Sequence, residues 1–305
     1  MLSGLSLTAL AFTTNYWVIL FCSMISGLGG SLFHPEAARM VNRIAGSLKG
    51  QALGSFSVGG NAGFAIGPMV AGFSAYTFDI HGLVLYGIVN VIVAAILYHS
   101  MPTILTMAAA ADKAEAKAHP GASHENDWGA FSKLTVVIFA RSIGFTLCNT
   151  FIPIYWITIL GATPSTGSMA LSILFSMGVV ITFLGGIMAD RFGFIRVMRG
   201  SFLIMVPAMF FLVNSSQLWL ATLLLLPVAF SLFAPYSPIV VLGQTYLGKN
   251  VGFASGIALG LSTTGWGADL WGVQTAMQIL WICAAIGCVF TFLVPVPKAW
   301  EEEKV

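Results

Sequence analysis

The chain has 305 residues, 57% of them hydrophobic and 8% charged, with a net charge of +2. Soluble domains carry about 25% charged residues, so this surface is not built for water, and a mean hydropathy of +0.90 makes lipid the solvent over most of it. The small net charge argues against a nucleic-acid partner. The four cysteines (Cys22, Cys148, Cys283, Cys288) sit in apolar runs with no Cys-x-x-Cys pair, so neither a zinc site nor a disulfide framework is indicated.

A spanning helix needs about 20 apolar residues, and backbone groups in lipid must bond within their own segment. The runs that qualify, in chain order, are 1–13 (short), 16–41, 51–75, 82–101, 132–157, 166–188, 197–213, 217–240, 250–268 (short) and 273–295. About ten helices are expected, in an all-α integral membrane fold. Residues 1–13 lack a basic n-region, so they read as membrane sequence, not as a cleaved signal. Turn signals separate the runs, among them Thr13-Thr14-Asn15, Gly161-Ala162-Thr163-Pro164 and Asn214-Ser215-Ser216-Gln217. Residues 102–128 are polar and of low complexity, and read as a linker, in part helical. The expected domains are 1–101, with four helices, and 129–305, with six.

Basic residues test this count. Arg39, Arg43 and Lys49 flank one gap. Lys113, Lys117 and Lys133 lie in or beside the linker. Arg191, Arg196 and Arg199 lie between the sixth and seventh runs, Lys249 before the ninth, and Lys298 and Lys304 in the tail. All twelve fall on one side of the ten-helix topology, which places both termini in the cytoplasm. The thirteenth, Arg141, lies inside a run.

The chain also repeats itself at an offset near 200. Ser31-Leu32-Phe33-His34-Pro35 matches Ser231-Leu232-Phe233-Ala234-Pro235, and in both copies a Lys/Gly turn and a Gly- and Ser-rich helix follow. Parallel repeats of six helices are the mark of the major facilitator architecture, and symmetric halves would put two helices, about 70 residues, before residue 1.

Gly185-Gly186-Ile187-Met188-Ala189-Asp190-Arg191-Phe192-Gly193-Phe194-Ile195-Arg196 resembles the major facilitator loop signature. Gly186, Asp190, Arg191, Gly193 and Arg196 are its candidate latch residues. The acid and the arginine suit pairing with helix ends or with each other, although a charged turn on the basic side is the plainer reading. In the third run Gly54, Gly63, Gly67, Pro68 and Gly72 resemble the antiporter motif of major facilitator exporters, with Ala71 in place of one glycine. Small residues let helices approach closely and Pro68 adds a bend; ordinary Gly-mediated packing is the alternative.

Ionisable residues inside spans are costly and are functional candidates by default. In the second run His34 is a residue type suited to proton exchange, and Glu36 and Arg39 share a helical face. They suit a proton relay or a substrate contact, or form an interfacial charge pair. Arg141 could hold an anionic substrate bidentately or pair with an interior carboxylate. Asn149, Tyr155 and Pro153 would line or bend the same helix, and Asn149, Tyr155 and Asn61 join the candidates for proton coupling or substrate binding.

Phe33-His34-Pro35-Glu36-x-x-Arg39 and Val58-Gly59-Gly60-Asn61-x-Gly63-x3-Gly67-Pro68 together look like the fosmidomycin resistance proteins, a major facilitator subfamily of drug exporters. The resemblance implies a proton-driven efflux pump of a bacterial inner membrane. Small polar or anionic drugs would be its substrates and basic residues would stand in the helix of Arg141. Two departures stand out: the absent first pair of helices and an abbreviated ninth run at Ser262-Thr263-Thr264. Both motivate the alternative of a non-transporting membrane fragment or degraded gene product. No cofactor, metal or enzymatic activity is expected. The sequence has no Gly-x-Ser-x-Gly elbow, no His-Glu-x-x-His and no P-loop. Protons, a small molecule and the bilayer are the expected partners of a monomer.

Overall fold

The computed structural model describes residues 1–118, 125–260, 266–297 and 300; within its helices, the side chains of residues 68, 69, 71, 72, 75, 115–118, 258–260, 266–272 and 276 lie outside the description. The described residues form eleven α-helices and two short 3-10 segments, with no strand among them. The helices are α1 (Leu2–Ala9), α2 (Tyr16–Ile44), α3 (Lys49–Phe78), α4 (Val84–Ala118), α5 (Trp128–Thr158), α6 (Pro164–Phe192), α7 (Phe194–Val213), α8 (Leu218–Phe233), α9 (Tyr236–Tyr246), α10 (Val251–Gly260) and α11 (Trp266–Leu293). Seven helical stretches among the described residues are long and apolar enough to cross a membrane. The all-helical expectation therefore holds.

Local chemistry explains the helix ends. Asn15 accepts from the Trp17 N–H and starts α2, Asp127 accepts from Ala130 N–H at α5, and Thr163 precedes Pro164, the first residue of α6. Each pairs an N-terminal N–H that has no intrahelical partner. Three features differ from the expected runs. The eighth run is two helices: α8 stops at Phe233 and α9 starts at Tyr236, because Pro235 has no N–H to continue the ladder. The expected linker begins as a continuation of α4 as far as Ala118, since its Ala, Lys and Glu residues are strong helix formers. In the shortened ninth run α10 covers Val251–Gly260, while residues 262–264 lie outside the described residues.

Two compact units emerge, one of residues 1–46 and 63–121 and the other of residues 47–62 and 122–305. In the first, α1 packs against α2 and α4. The approach is close enough that Gly4 lies against Asn90 and Gly87 against Thr8, with no room for a side chain at either glycine. In the second unit α11 packs on α5 and α7, and α6 and α8 pack on each other. Its core is built on Leu134, Ile138, Ile152, Trp156, Phe202, Met205 and Met209, all essentially inaccessible. Arg199 closes the end of α11: its Nε donates to the Thr291 carbonyl (3.1 Å) and its Nη2 to that of Val294 (3.2 Å). A cation at a helix C-terminus satisfies free carbonyls and complements the dipole there.

Candidate substrate and latch sites

The second unit gathers two groups of candidates. The first surrounds Arg141 on α5. Its Nε donates to the Leu232 carbonyl at 2.7 Å. The guanidinium carbon lies 5.9 Å from the ring centre of Phe145 and 5.3 Å from that of Tyr236. The Leu232 carbonyl is available because α8 ends one residue later. In an unbroken helix it would accept from the N–H of residue 236. Phe145, Phe175 and Phe233 meet edge to face at 5.8–6.0 Å beside the arginine. The ion pairs among the described residues are Glu36–Arg39 and Arg43–Asp112, so no described carboxylate neutralises Arg141. Of the two sequence-level readings for this residue, the interior carboxylate partner is therefore not found among the described residues.

Asn149 and Tyr155 are not gathered with Arg141. At about 1.5 Å per residue they stand roughly 12 Å and 21 Å further along the helix. Tyr155 is fully buried, and its hydroxyl donates to the Val213 carbonyl (3.0 Å) at the end of α7. That bond ties α5 to the α7–α8 turn. Tyr155→Phe is expected to cost about 1 kcal/mol, the net value of one such hydrogen bond, read as a melting temperature lowered by a few degrees in detergent. An unchanged melting temperature would remove Tyr155 from the fold's supports.

The second group is the loop signature. The two carboxylate oxygens of Asp190, at the end of α6, accept from the backbone N–H groups of Gly50 and Gln51, both at 2.8 Å. These are orphan donors in the first turn of α3, and a negative charge is favoured there. The approach needs glycine on both sides. A Cβ on Gly186 would collide with the Gly50 carbonyl, and one on Gly54 would lie 3.0 Å from the Thr182 carbonyl. About two turns beyond Gly54 on α3, the Asn61 side-chain amide donates to the Thr182 hydroxyl at 2.8 Å. Gly193 ends α6 with φ +96, a conformation that side-chain-bearing residues rarely adopt. Arg191 and Arg196 are exposed. Arg191 lies over the Phe192 ring at 5.6 Å and makes no ion pair with Asp190.

The first unit holds the second-run candidates. Glu36 and Arg39 form an ion pair at 3.5 Å, with side chains 60% and 47% exposed. His34 is exposed and meets Phe33 edge to face at 5.7 Å. The backbone stays helical through Pro35. Arg43, a turn later, pairs with Asp112 on the extension of α4. Of the antiporter-motif positions in this unit, Gly63 and Gly67 have nothing within 4 Å of an added methyl group, and the Gly67 carbonyl accepts from the Tyr86 hydroxyl at 3.2 Å. Pro68 and Gly72 lie in α3, and their surroundings lie outside the described residues.

Sequence reasoning missed Phe145, Tyr236, Thr182, Gly50 and Gln51. Only Tyr236 carried a local signal, standing directly after a proline inside an apolar run.

Residues 1–258 match the family described as Major Facilitator Superfamily. The chain is 28% identical over 298 residues to the fosmidomycin resistance protein of Escherichia coli K12, across 93% of this chain and 71% of that one. Over 68 residues it is 40% identical to the uncharacterized MFS-type transporter YfnC of Bacillus subtilis 168, which is 22% of this chain and 17% of that protein. Among solved structures it is similar to the transporter FucP in its outward conformation, with a TM-score of 0.67 and 16% identity, over 97% of this chain and 80% of FucP. A second FucP structure, described as a fucose:proton symporter, gives a TM-score of 0.66 at 16% identity.

Proposed function

The chain belongs to the major facilitator superfamily of multi-pass membrane transporters, not enzymes, and from that premise we propose that it exports a small anionic or drug-like molecule in exchange for protons. The observation that carries the reading is Arg141: a cation in the interior of a membrane protein, bonded to one carbonyl, walled by two aromatic rings and without a described carboxylate partner. An uncompensated interior cation is costly, and a substrate oxyanion would offset that cost with charge-assisted hydrogen bonds. The likeness to the fosmidomycin resistance protein supports a phosphonate drug as the first substrate to try.

In this reading Asp190 and the start of α3 form a latch for one conformation, with Gly186, Gly193, Arg191 and Arg196 shaping its loop. Gly54, Gly63, Gly67, Pro68 and Gly72 give α3 the small-residue character of exporters. His34, Glu36 and Arg39 serve proton coupling, while Asn61 and Asn149 offer polar contacts along α3 and α5. The distribution of Lys and Arg supports cytoplasmic termini in a bacterial inner membrane, and a single chain suffices for transport.

Expression of the full chain in a fosmidomycin-sensitive bacterium should raise the inhibitory concentration, and a protonophore should abolish the gain. Glu36→Gln should remove it while the amount of protein in the membrane stays constant. Resistance retained in the Glu36→Gln strain would rule out that carboxylate as the coupling group.

A further inference from the structure

We propose that Tyr236 is the positioning residue for the Arg141 guanidinium, its ring holding the edge that the Leu232 carbonyl leaves free where that edge can meet an oxyanion. The inference rests on reading Arg141 as the anion contact. Tyr236 is the first residue of α9, directly after the interruption of α8. That interruption does two things at once. It leaves the Leu232 carbonyl free to accept from Arg141 Nε at 2.7 Å, and it presents the Tyr236 ring to the guanidinium at 5.3 Å. Phe145, one turn further along α5, lies 5.9 Å away.

A guanidinium offers an oxyanion two bidentate edges, one made of Nε with one Nη and one made of both Nη groups. With Nε committed to Leu232, the first edge is closed. The second makes no hydrogen bond within the protein among the described residues. The ligand class follows: two oxygens of a carboxylate, phosphonate or phosphate, approaching end-on, with aromatic rings in place of water beside the cation. Lysine would not reproduce this geometry, because the donors its ammonium keeps after bonding Leu232 sit on one nitrogen and form no planar pair matched to two oxygens. The Tyr236 hydroxyl has the Ser57 side chain on α3 as its polar neighbour, so ring and hydroxyl require separate tests.

Phenylglyoxal adds to the paired Nη groups of arginine, and the α5 peptide reports its addition to Arg141 by mass spectrometry of the purified full chain. Tyr236→Leu, which removes the ring, should accelerate modification about tenfold, whereas Tyr236→Phe, which keeps it, should stay within about twofold of the parent. Inorganic phosphate should slow the reaction in the parent and much less in Tyr236→Leu. The exposed Arg191 and Arg196 are references for folding. If they accelerate in parallel with Arg141, the ratio is taken instead from Tyr236→Met, a side chain of similar reach that cannot stack. An unchanged ratio in the variant that folds overturns the proposal, as does equal acceleration by Phe and Leu, which would assign the role to the hydroxyl. Fosmidomycin resistance is scored separately in the same strains. If the parent confers none, the transport reading falls while the labelling ratio still decides on Tyr236.

Discussion

Arg141→Ala in the full chain should abolish fosmidomycin resistance while the protein still reaches the membrane. Two charge-assisted bonds to an oxyanion are together worth about 3 kcal/mol, or roughly a hundredfold in affinity, and no nearby described cation replaces them. The Nε–Leu232 bond (2.7 Å) also goes, so the alanine variant loses support at the end of α8. Arg141→Lys separates the two roles. Lysine keeps the charge and can donate to the carbonyl but lacks the paired Nη groups that hold two oxygens at once, so it should restore the amount of protein without restoring export. Drug uptake in inverted vesicles, normalised to transporter amount, measures both variants. Export at parental rates in either of them would take Arg141 out of the substrate path.

The second large effect is expected at the latch. Asp190→Ala removes the acceptor of two backbone N–H groups at the start of α3. The loss of charge-assisted bonds and of the favourable helix-end interaction should raise the opening of that turn about tenfold or more. Asp190→Asn keeps one carbonyl oxygen and should fall between alanine and the parent. Amide hydrogen exchange over residues 50–53 is the readout. Gly186→Val acts on the same contact by volume: its side chain would meet the Gly50 carbonyl, which is backbone and cannot rotate away. Overpacking of this kind costs about 1–3 kcal/mol. Exchange in Asp190→Ala indistinguishable from the parent would mean that the two hydrogen bonds do not hold α3.

Hydropathy made the helices legible, because lipid demands apolar side chains and a self-satisfied backbone from every crossing segment. For the loop signature, pairing of the acid with a helix end was one of the readings the sequence left open, beside pairing with Arg191 and a plain charged turn. Its target was not legible: Gly50 and Gln51 lie 140 and 139 residues away from Asp190, and nothing in their identity advertises an acceptor. The α8–α9 break was hidden for a subtler reason. Ser31-Leu32-Phe33-His34-Pro35 and Ser231-Leu232-Phe233-Ala234-Pro235 look alike, yet α2 runs on through its proline and α8 stops before its own. The difference is tertiary. Arg141 supplies a donor for the freed Leu232 carbonyl, and Gly185 leaves space for the backbone at Ala234, 2.7 Å from where its Cβ would stand. Neither is visible from the five residues themselves. Tyr155 shows the converse, a candidate binding residue in a span whose hydroxyl is taken up by the end of a neighbouring helix.

The Asp190 contact has an evolutionary consequence. It reads peptide groups and no side chain, so the residue at position 51 is free to drift to anything except proline, and position 50 is held only by the space it leaves beside Gly186. Selection on this contact would leave an invariant acid with no covarying partner. Methods that infer proximity from correlated substitutions would miss it even in a deep family alignment. Contacts of this kind are best sought as an isolated conserved carboxylate opposite a helix start, with glycine on the facing helix.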